Sequence, residues 1–212
     1  MSFHSRLASL RDRLDREITY GTIIKAMKLA RQGLLKAEEA GLLAEQNYFR
    51  GQIALLRKNY ATAIEYFDSA IKLNPKDGAA YNDRALCMVE LGIIEEAFEY
   101  FDKGINAEPD YSTVYHNKAW LLNNIGRYTE SVVYFNKALS LDKDRAVTYD
   151  GLADSLYNLG DIKGALKAYK KTLSLLKDGQ CRSIKNQIIE KIRLLEGEIQ
   201  NQGEYGYGHK DN

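Results

Sequence analysis

Phe67, Phe101, Phe135 and Tyr169 follow one another at a constant interval of 34 residues, and whole blocks of sequence recur in step with them. A unit of that length is too short to bury its own apolar face. Copies must stack on one another to exclude water, which confines the chain to a quasi-one-dimensional array of small modules. Written as 44–77, 78–111, 112–145 and 146–179, the copies place small residues, aromatics and turn residues in matching columns. Gly51, Ala85, Ala119 and Ala153 form one small column and Ala63, Ala97, Ser131 and Ala165 a second, as two helices that cross closely within a copy require. The column Phe67, Phe101, Phe135, Tyr169, with Tyr81, Tyr115 and Tyr149 nearby, fills the space between successive copies.

The turn residues are as regular. Gly92, Gly126 and Gly160 each end an apolar-periodic stretch, the place for a helix-terminating glycine with positive φ. Lys58 stands there in the first copy, so that turn is expected to be the least regular. Asn74-Pro75 and Glu108-Pro109 end the second helices of two copies, because proline disfavours helical geometry in the residue before it. Lys143 and Lys177 take the proline position in the other two.

Both flanks read as helix. Phe3, Leu7, Leu10, Leu14 and Ile18 form one stripe, and Ile23, Ile24, Met27, Ala30, Leu34 and Leu35 a second. At the other end Ile184, Ile188, Ile192, Leu195 and Ile199 make a single apolar face, the amphipathy of a helix that covers the end of a stack.

The columns at residues 44 to about 178 resemble the signature positions of the tetratricopeptide repeat family, in which each unit is a helix-turn-helix hairpin. The departures are Asn47 where other copies have tyrosine, Lys58 for glycine, Thr172 at a small-residue place, and the two absent prolines. The resemblance implies an all-α fold: a right-handed α-solenoid of tetratricopeptide helix-turn-helix repeats with an N-terminal helical hairpin and a C-terminal capping helix. The expected organisation is an N-terminal helical cap at 1–43, four repeats over 44–178, a capping helix at 180–200 and a disordered tail at 201–212.

In that family the first helices of successive repeats line the concave surface, so the resemblance implies that their outward residues choose the partner. Those residues are Tyr48, Phe49 and Gln52; Asn82 and Asp83; His116, Asn117, Trp120, Asn123 and Asn124; and Asp150, Asp154, Tyr157 and Asn158. The surface is rich in amides and aromatics. Asparagine carries both a donor and an acceptor and can pair with the backbone of an extended peptide. Trp120 is either an interface anchor, a common use of indole, or a ring packed between repeats. The column Arg50, Arg84, Lys118 is either a basic ladder for an acidic ligand or a set of long stems covering a helix crossing. The carboxylate clamp of chaperone-binding members, built from lysine, asparagine and arginine, is absent. Its places here hold Tyr48 and Gln52, then Asp83, then Thr113 and Asn117.

Composition narrows the function further. With 30 basic and 29 acidic side chains the formal net charge is +1, too little to track a phosphate backbone, and no nucleic-acid partner is expected. The first residues lack a signal-like apolar run, no stretch suits membrane insertion, and the protein is read as cytoplasmic. Cys87 and Cys181 form no disulfide framework or zinc spacing. The histidines are His4, His116 and His209, with no base-nucleophile pair, phosphate loop or metal motif beside them, so neither catalysis nor a cofactor is expected. Two functions follow: an adaptor or scaffold that holds a peptide or helix of another protein, or a homo-oligomeric self-assembly module acting through its terminal helices.

Overall fold

The computed structural model describes residues 3–176 and 182–206, and among these the chain is helical throughout. The helices are α1 (Phe3–Tyr20), α2 (Ile23–Glu39), α3 (Leu43–Leu56), α4 (Tyr60–Leu73), α5 (Gly78–Glu90), α6 (Ile94–Ala107), α7 (Ser112–Asn124), α8 (Tyr128–Leu141), α9 (Ala146–Asn158), α10 (Ile162–Leu175) and α11 (Arg182–Gly206). Sequence neighbours pack as pairs, α3 on α4, α5 on α6 and α9 on α10, while α2 on α3, α4 on α5 and α8 on α9 join one pair to the next. The fold class is the all-α stack of helical hairpins that the 34-residue interval requires. Two compact units divide the chain, residues 1–117 and 118–212, with the boundary inside α7.

The columns read from the sequence are the packing surfaces. Phe67, Phe101, Phe135 and Tyr169 are buried, and so are Ala63, Ala97, Ser131 and Ala165 opposite Ala85, Ala119 and Ala153. At Gly51 the contact is tight: a Cβ there would lie 2.6 Å from the Phe67 ring, so the first repeat uses glycine where the next ones use alanine. Ser131 sits in a small-residue column without leaving a stranded hydroxyl, because its Oγ donates to the carbonyl of Ala119 at 2.8 Å. Cys87 lies within α5, wholly buried where that helix meets α4 and α6, and burial pushes its thiol up to about 12.

The turns correct one expectation. Lys58 has φ 59°, in the left-handed region shared by Gly92 at 78°, Gly126 at 81° and Gly160 at 80°. Its hydrogen bonds match theirs: Asn59 N–H donates to Ala54 C=O at 2.9 Å, as Ile93 does to Met88 and Asp161 to Leu156 at the same distance. The turn at Lys58 is therefore as regular as the glycine turns, because the helix-ending bonds fix the backbone and the lysine adopts it. The proline-free junction after α8 also keeps its shape. Asp142 has φ −136°, ψ 93°, against −136°, 87° for Asn74 before its proline. Asp142 Oδ1 accepts from Asp144 N–H at 3.1 Å, an Asx turn that supplies the stop.

The flanking helices belong to different units. In the first, Leu7, Leu10 and Leu14 of α1 join the cluster around Phe49 and Phe67. In the second, Ile188, Ile192 and Leu195 of α11 cover Ala165, Ala168 and Tyr169. Helix α11 runs to Gly206, so residues 201–206 extend it where an aperiodic tail was expected. Residues 207–212, with His209, lie outside the described residues, as does Cys181. No helix among the described residues is long and apolar enough to cross a membrane.

Candidate protein-interaction surface

In the first unit the expected partner-facing residues are covered. Tyr48, Phe49 and Gln52 on α3, Asn82 and Asp83 on α5, and His116 at the start of α7 are all buried, and Asn117 is half-buried. Phe49 turns toward α2, where its ring lies within 2.2 Å of the place a Cβ would occupy on Gly33, so it is a packing residue rather than an outward one. Tyr48 lies beneath α1, under the Arg11 guanidinium. Leu7, Leu10 and Leu14 are 2%, 5% and 1% exposed, whereas Ala8, Ser9, Asp12, Arg13 and Arg16 on the opposite side of the helix face water.

Arg11, at the centre of that leucine stripe, fixes where α1 sits. Its guanidinium donates to Asp77 through both terminal nitrogens, at 2.9 and 2.8 Å, and through Nε to Glu45 at 3.1 Å. The same plane lies 3.6 Å above the Tyr48 ring. Burial alone would lower its pKa, but the Asp77 carboxylate outweighs that and holds it raised. Asp77 in turn caps α5 by accepting from Ala80 N–H at 3.1 Å, so one bidentate ion pair ties α1 to the mouth of a helix 66 residues further on.

A polar chain crosses the inner helices of the first unit. Asn117 donates to Asn82 at 2.9 Å, Asn82 donates to Asp83 at 2.9 Å, and Gln52 and Tyr48 also donate to Asp83. These donors are all neutral. Burial, with Asp15 and Asp77 adding to it, pushes the Asp83 carboxyl up to about 7. The carbonyl oxygen of Gln52 is buried and has no hydrogen-bond partner. Asparagines and glutamine that suggested peptide recognition in the sequence thus spend much of their capacity on one another.

The basic column lies elsewhere. Arg50 pairs with Glu38 of α2 at 3.0 Å, and Arg84 pairs with Asp68 of α4 at 2.5 Å while stacking 3.6 Å from the Tyr100 ring. In the second unit Lys118 donates to the hydroxyl of Tyr134 on α8 at 2.9 Å. Each stem covers a crossing between an inner and an outer helix, the packing use of such side chains.

The second unit keeps large rings in the open. Trp120 on α7 is 38% exposed and Tyr157 on α9 is 44% exposed, and Asn124 and Asn158 are exposed beside them in sequence. Asn123 is half-buried and accepts from Ser155 at 2.9 Å; Asn158 donates to the Asp154 carbonyl at 2.8 Å. Asp150 and Asp154 meet α11: Lys191 Nζ lies 2.7 Å from Asp154 and 3.7 Å from Asp150, and the Tyr169 hydroxyl also donates to Asp154. Burial raises the Asp150 carboxyl, with Lys191 opposing it. Among the described residues no cluster of three or more His, Cys, Asp or Glu side chains is placed to hold a metal ion.

Sequence reading did not anticipate Arg11, Asp77 and Lys191. The available signal was an arginine in the middle of an otherwise leucine-lined helix face, since a buried guanidinium demands a carboxylate partner.

Tetratricopeptide repeat profiles match residues 30–77, 54–121 and 112–145. The Hsp70-Hsp90 organizing protein of Triticum aestivum is 35% identical over 54 residues, and Hsp70-Hsp90 organizing protein 1 of Glycine max is 37% identical over a stretch of the same length. Each match takes in 26% of this chain and 9% of the relative, so the chain spans a small part of those proteins. Among solved structures, TTC0263, a thermophilic tetratricopeptide protein of Thermus thermophilus, superposes with a TM-score of 0.69 at 16% identity, over 88% of this chain and 98% of that one. MamA superposes at 0.57 with 16% identity (76% and 93%), and YrrB, described as having an unusual peptide-binding site, at 0.54 with 14% identity (84% and 94%). The interval of 34, the buried aromatic column, the paired helices and these matches agree that the chain belongs to the tetratricopeptide repeat family.

Proposed function

We propose that the protein is a non-catalytic adaptor that captures a peptide or helix of another protein, and that its open capture surface lies on the inner helices of the second unit. The observation that carries this reading is the exposure of Trp120 and Tyr157. Two large amphipathic rings left partly in water on inner helices whose other large side chains, Leu121, Leu122 and Leu152 among them, are buried are the anchors that protein interfaces favour. Asn124 and Asn158 add exposed amides for backbone pairing, and Asn123 a partly covered one. The family resemblance supports a protein-binding role, as do the peptide-binding site ascribed to YrrB and the organizing proteins matched over a short stretch. A chaperone C-terminus is not the proposed ligand, because the family's clamp residues are replaced by Tyr48, Gln52, Asp83, Thr113 and Asn117.

On this reading residues 44–178 supply the repeats, α1 and α2 form the N-terminal cap, α11 forms the C-terminal one, and the protein works in the cytoplasm. The test is affinity capture with wild-type protein and the double variant Trp120→Ala, Tyr157→Ala. Partners should be lost from the variant while its circular dichroism and solution mass stay unchanged. Equal capture by both proteins would refute the reading. Self-assembly is the second reading, favoured by Ile23 and Ile24 on α2, which are 59% and 79% exposed. If it holds, Ile24→Ser lowers the mass measured by light scattering.

A further inference from the structure

We propose that the uncovered face of α2 is a docking site for a helix of another protein, one that carries apolar residues at i and i+11 and carboxylates at i+4 and i+7. The site belongs to the first unit and does not depend on the rings at Trp120 and Tyr157. It also gives the exposed isoleucines of α2 an occupant other than a second copy of this chain.

Helix α2 has two unlike sides. Ala26, Leu29, Ala30, Gly33 and Ala37 are buried on one. On the other an open groove is lined by Ile23, Ile24, Met27, Lys28, Arg31 and Leu35. Ile23, Ile24 and Leu35 are 59%, 79% and 57% exposed, so the apolar part of the groove is a patch rather than one stray side chain. Ile24, Lys28, Arg31 and Leu35 stand at i, i+4, i+7 and i+11 and form one stripe along the helix, its apolar ends about 16 Å apart with two cations between them. Among the described residues no carboxylate pairs with Lys28 or Arg31. Between Ile23 and Lys36 the helix carries Lys25, Lys28, Arg31 and Lys36 and no acidic side chain; Glu38, past the groove, is paired with Arg50.

The stripe selects its occupant by charge. Its spacing reads the same in both directions, so a partner helix of either polarity can set its own i, i+4, i+7 and i+11 against it. A second copy of α2 could do so too, but antiparallel pairing brings Lys28 against Arg31 while Ile24 meets Leu35, and parallel pairing brings each cation against itself. Like charges facing one another on the line of contact oppose the association that the apolar ends favour. No other segment of this chain fits either: none of its acidic pairs three residues apart has large apolar residues four positions outside it on both sides. An anionic bilayer is the poorer match. Basic side chains suit a membrane-surface helix at its flanks, whereas Lys28 and Arg31 occupy the middle of the stripe, the part that would sink deepest. A helix with Asp or Glu at the two inner places meets both cations and covers both apolar ends in a single register.

The probe is a synthetic alanine-based helix with leucine at i and i+11 and glutamate at i+4 and i+7, and its control carries lysine at the two inner places. Each is titrated into the full-length protein while NMR follows the methyl groups of Ile23, Ile24, Met27 and Leu35. These methyls should shift with the glutamate peptide, and the control should bind at least roughly tenfold more weakly. The variant Lys28→Glu, Arg31→Glu should reverse that preference, and Ile24→Ser should weaken the binding of both peptides. The substituted side chains are exposed, so helical circular dichroism should not change. Added salt should weaken the glutamate peptide, whose attraction to this surface is between exposed charges. Equal binding of the two peptides, shifts confined to methyls elsewhere, or no shift at all overturns the proposal. Shifts at the same methyls on concentrating the protein alone, with a solution mass that falls in Ile24→Ser, overturn it in favour of a second copy. Broadening of those methyls by phosphatidylserine vesicles, with no shift from the glutamate peptide, overturns it in favour of a membrane. Capture through Trp120 and Tyr157 is read from other side chains, so the adaptor reading and this one fail separately.

Discussion

Exchanging Lys58 and Gly92 isolates the energy of a single backbone conformation. Both residues end the first helix of a repeat at positive φ, 59° and 78°. Their turns share the same helix-ending hydrogen bonds, so the exchange leaves the bonding unaltered. At Gly92 an added Cβ would touch nothing within 4 Å, so a side chain there meets no steric obstacle. What remains is the left-handed backbone. An L-residue costs roughly 1–2 kcal/mol there, and glycine returns about 0.5–1 kcal/mol of this through the greater freedom of its unfolded chain. Lys58→Gly should therefore stabilise the protein by about 0.5–1 kcal/mol and Gly92→Lys should destabilise it by a similar amount, each moving the melting temperature by about 1–4 °C in opposite directions. Urea unfolding followed by helical circular dichroism gives both values, and the double exchange should return close to wild type, since the sites lie in different turns. A destabilised Lys58→Gly would refute the reasoning by showing that the lysine makes a contact worth more than its strain.

Two further outcomes follow from buried groups. Asp83 has its folded-state pKa raised from 3.8 to about 7 by burial. The native state therefore holds its proton over a range in which the unfolded chain has lost it, and stability falls as pH rises between those values. From about pH 5 to about pH 8 that loss should be on the order of 2–3 kcal/mol and should be absent in Asp83→Asn, where Gln52 can turn its unpartnered carbonyl to accept from the new amide. An equal pH slope in both proteins, read by chemical denaturation, would contradict this. Gly51→Ala drives a Cβ against the Phe67 ring and should cost about 1–3 kcal/mol in the same assay, although alanine is the resident at the matching position of the next repeats.

The repeats were legible because their packing is local and periodic. Phe67, Phe101 and Phe135 recur at the spacing of the unit, and a residue that repeats with the unit must occupy the same environment in each copy. The inner surface was less legible for the same reason. Nothing in a nearest-neighbour pattern announces that Arg11 will reach Asp77, two repeats away, and the family's outward positions assume that no other segment lies across them. Tyr48, Gln52, Asn82 and Asp83 occupy those positions and are nonetheless covered. In the second unit Trp120 and Tyr157 occupy the same kind of position and are exposed. Asp150 and Asp154 fall between the two cases, because Lys191 comes from a helix outside the period.

The setting of Cys87 carries a consequence for redox chemistry. Only the thiolate attacks an electrophile or an oxidant, and a thiol pushed up to about 12 is almost wholly protonated at neutral pH, while closed walls on both sides deny reagents an approach. The sulfur is thus doubly silenced while α5 is seated. Modification at this position becomes a record of how often the third hairpin's inner helix swings free, written at the rate of that opening rather than at the rate of the chemistry.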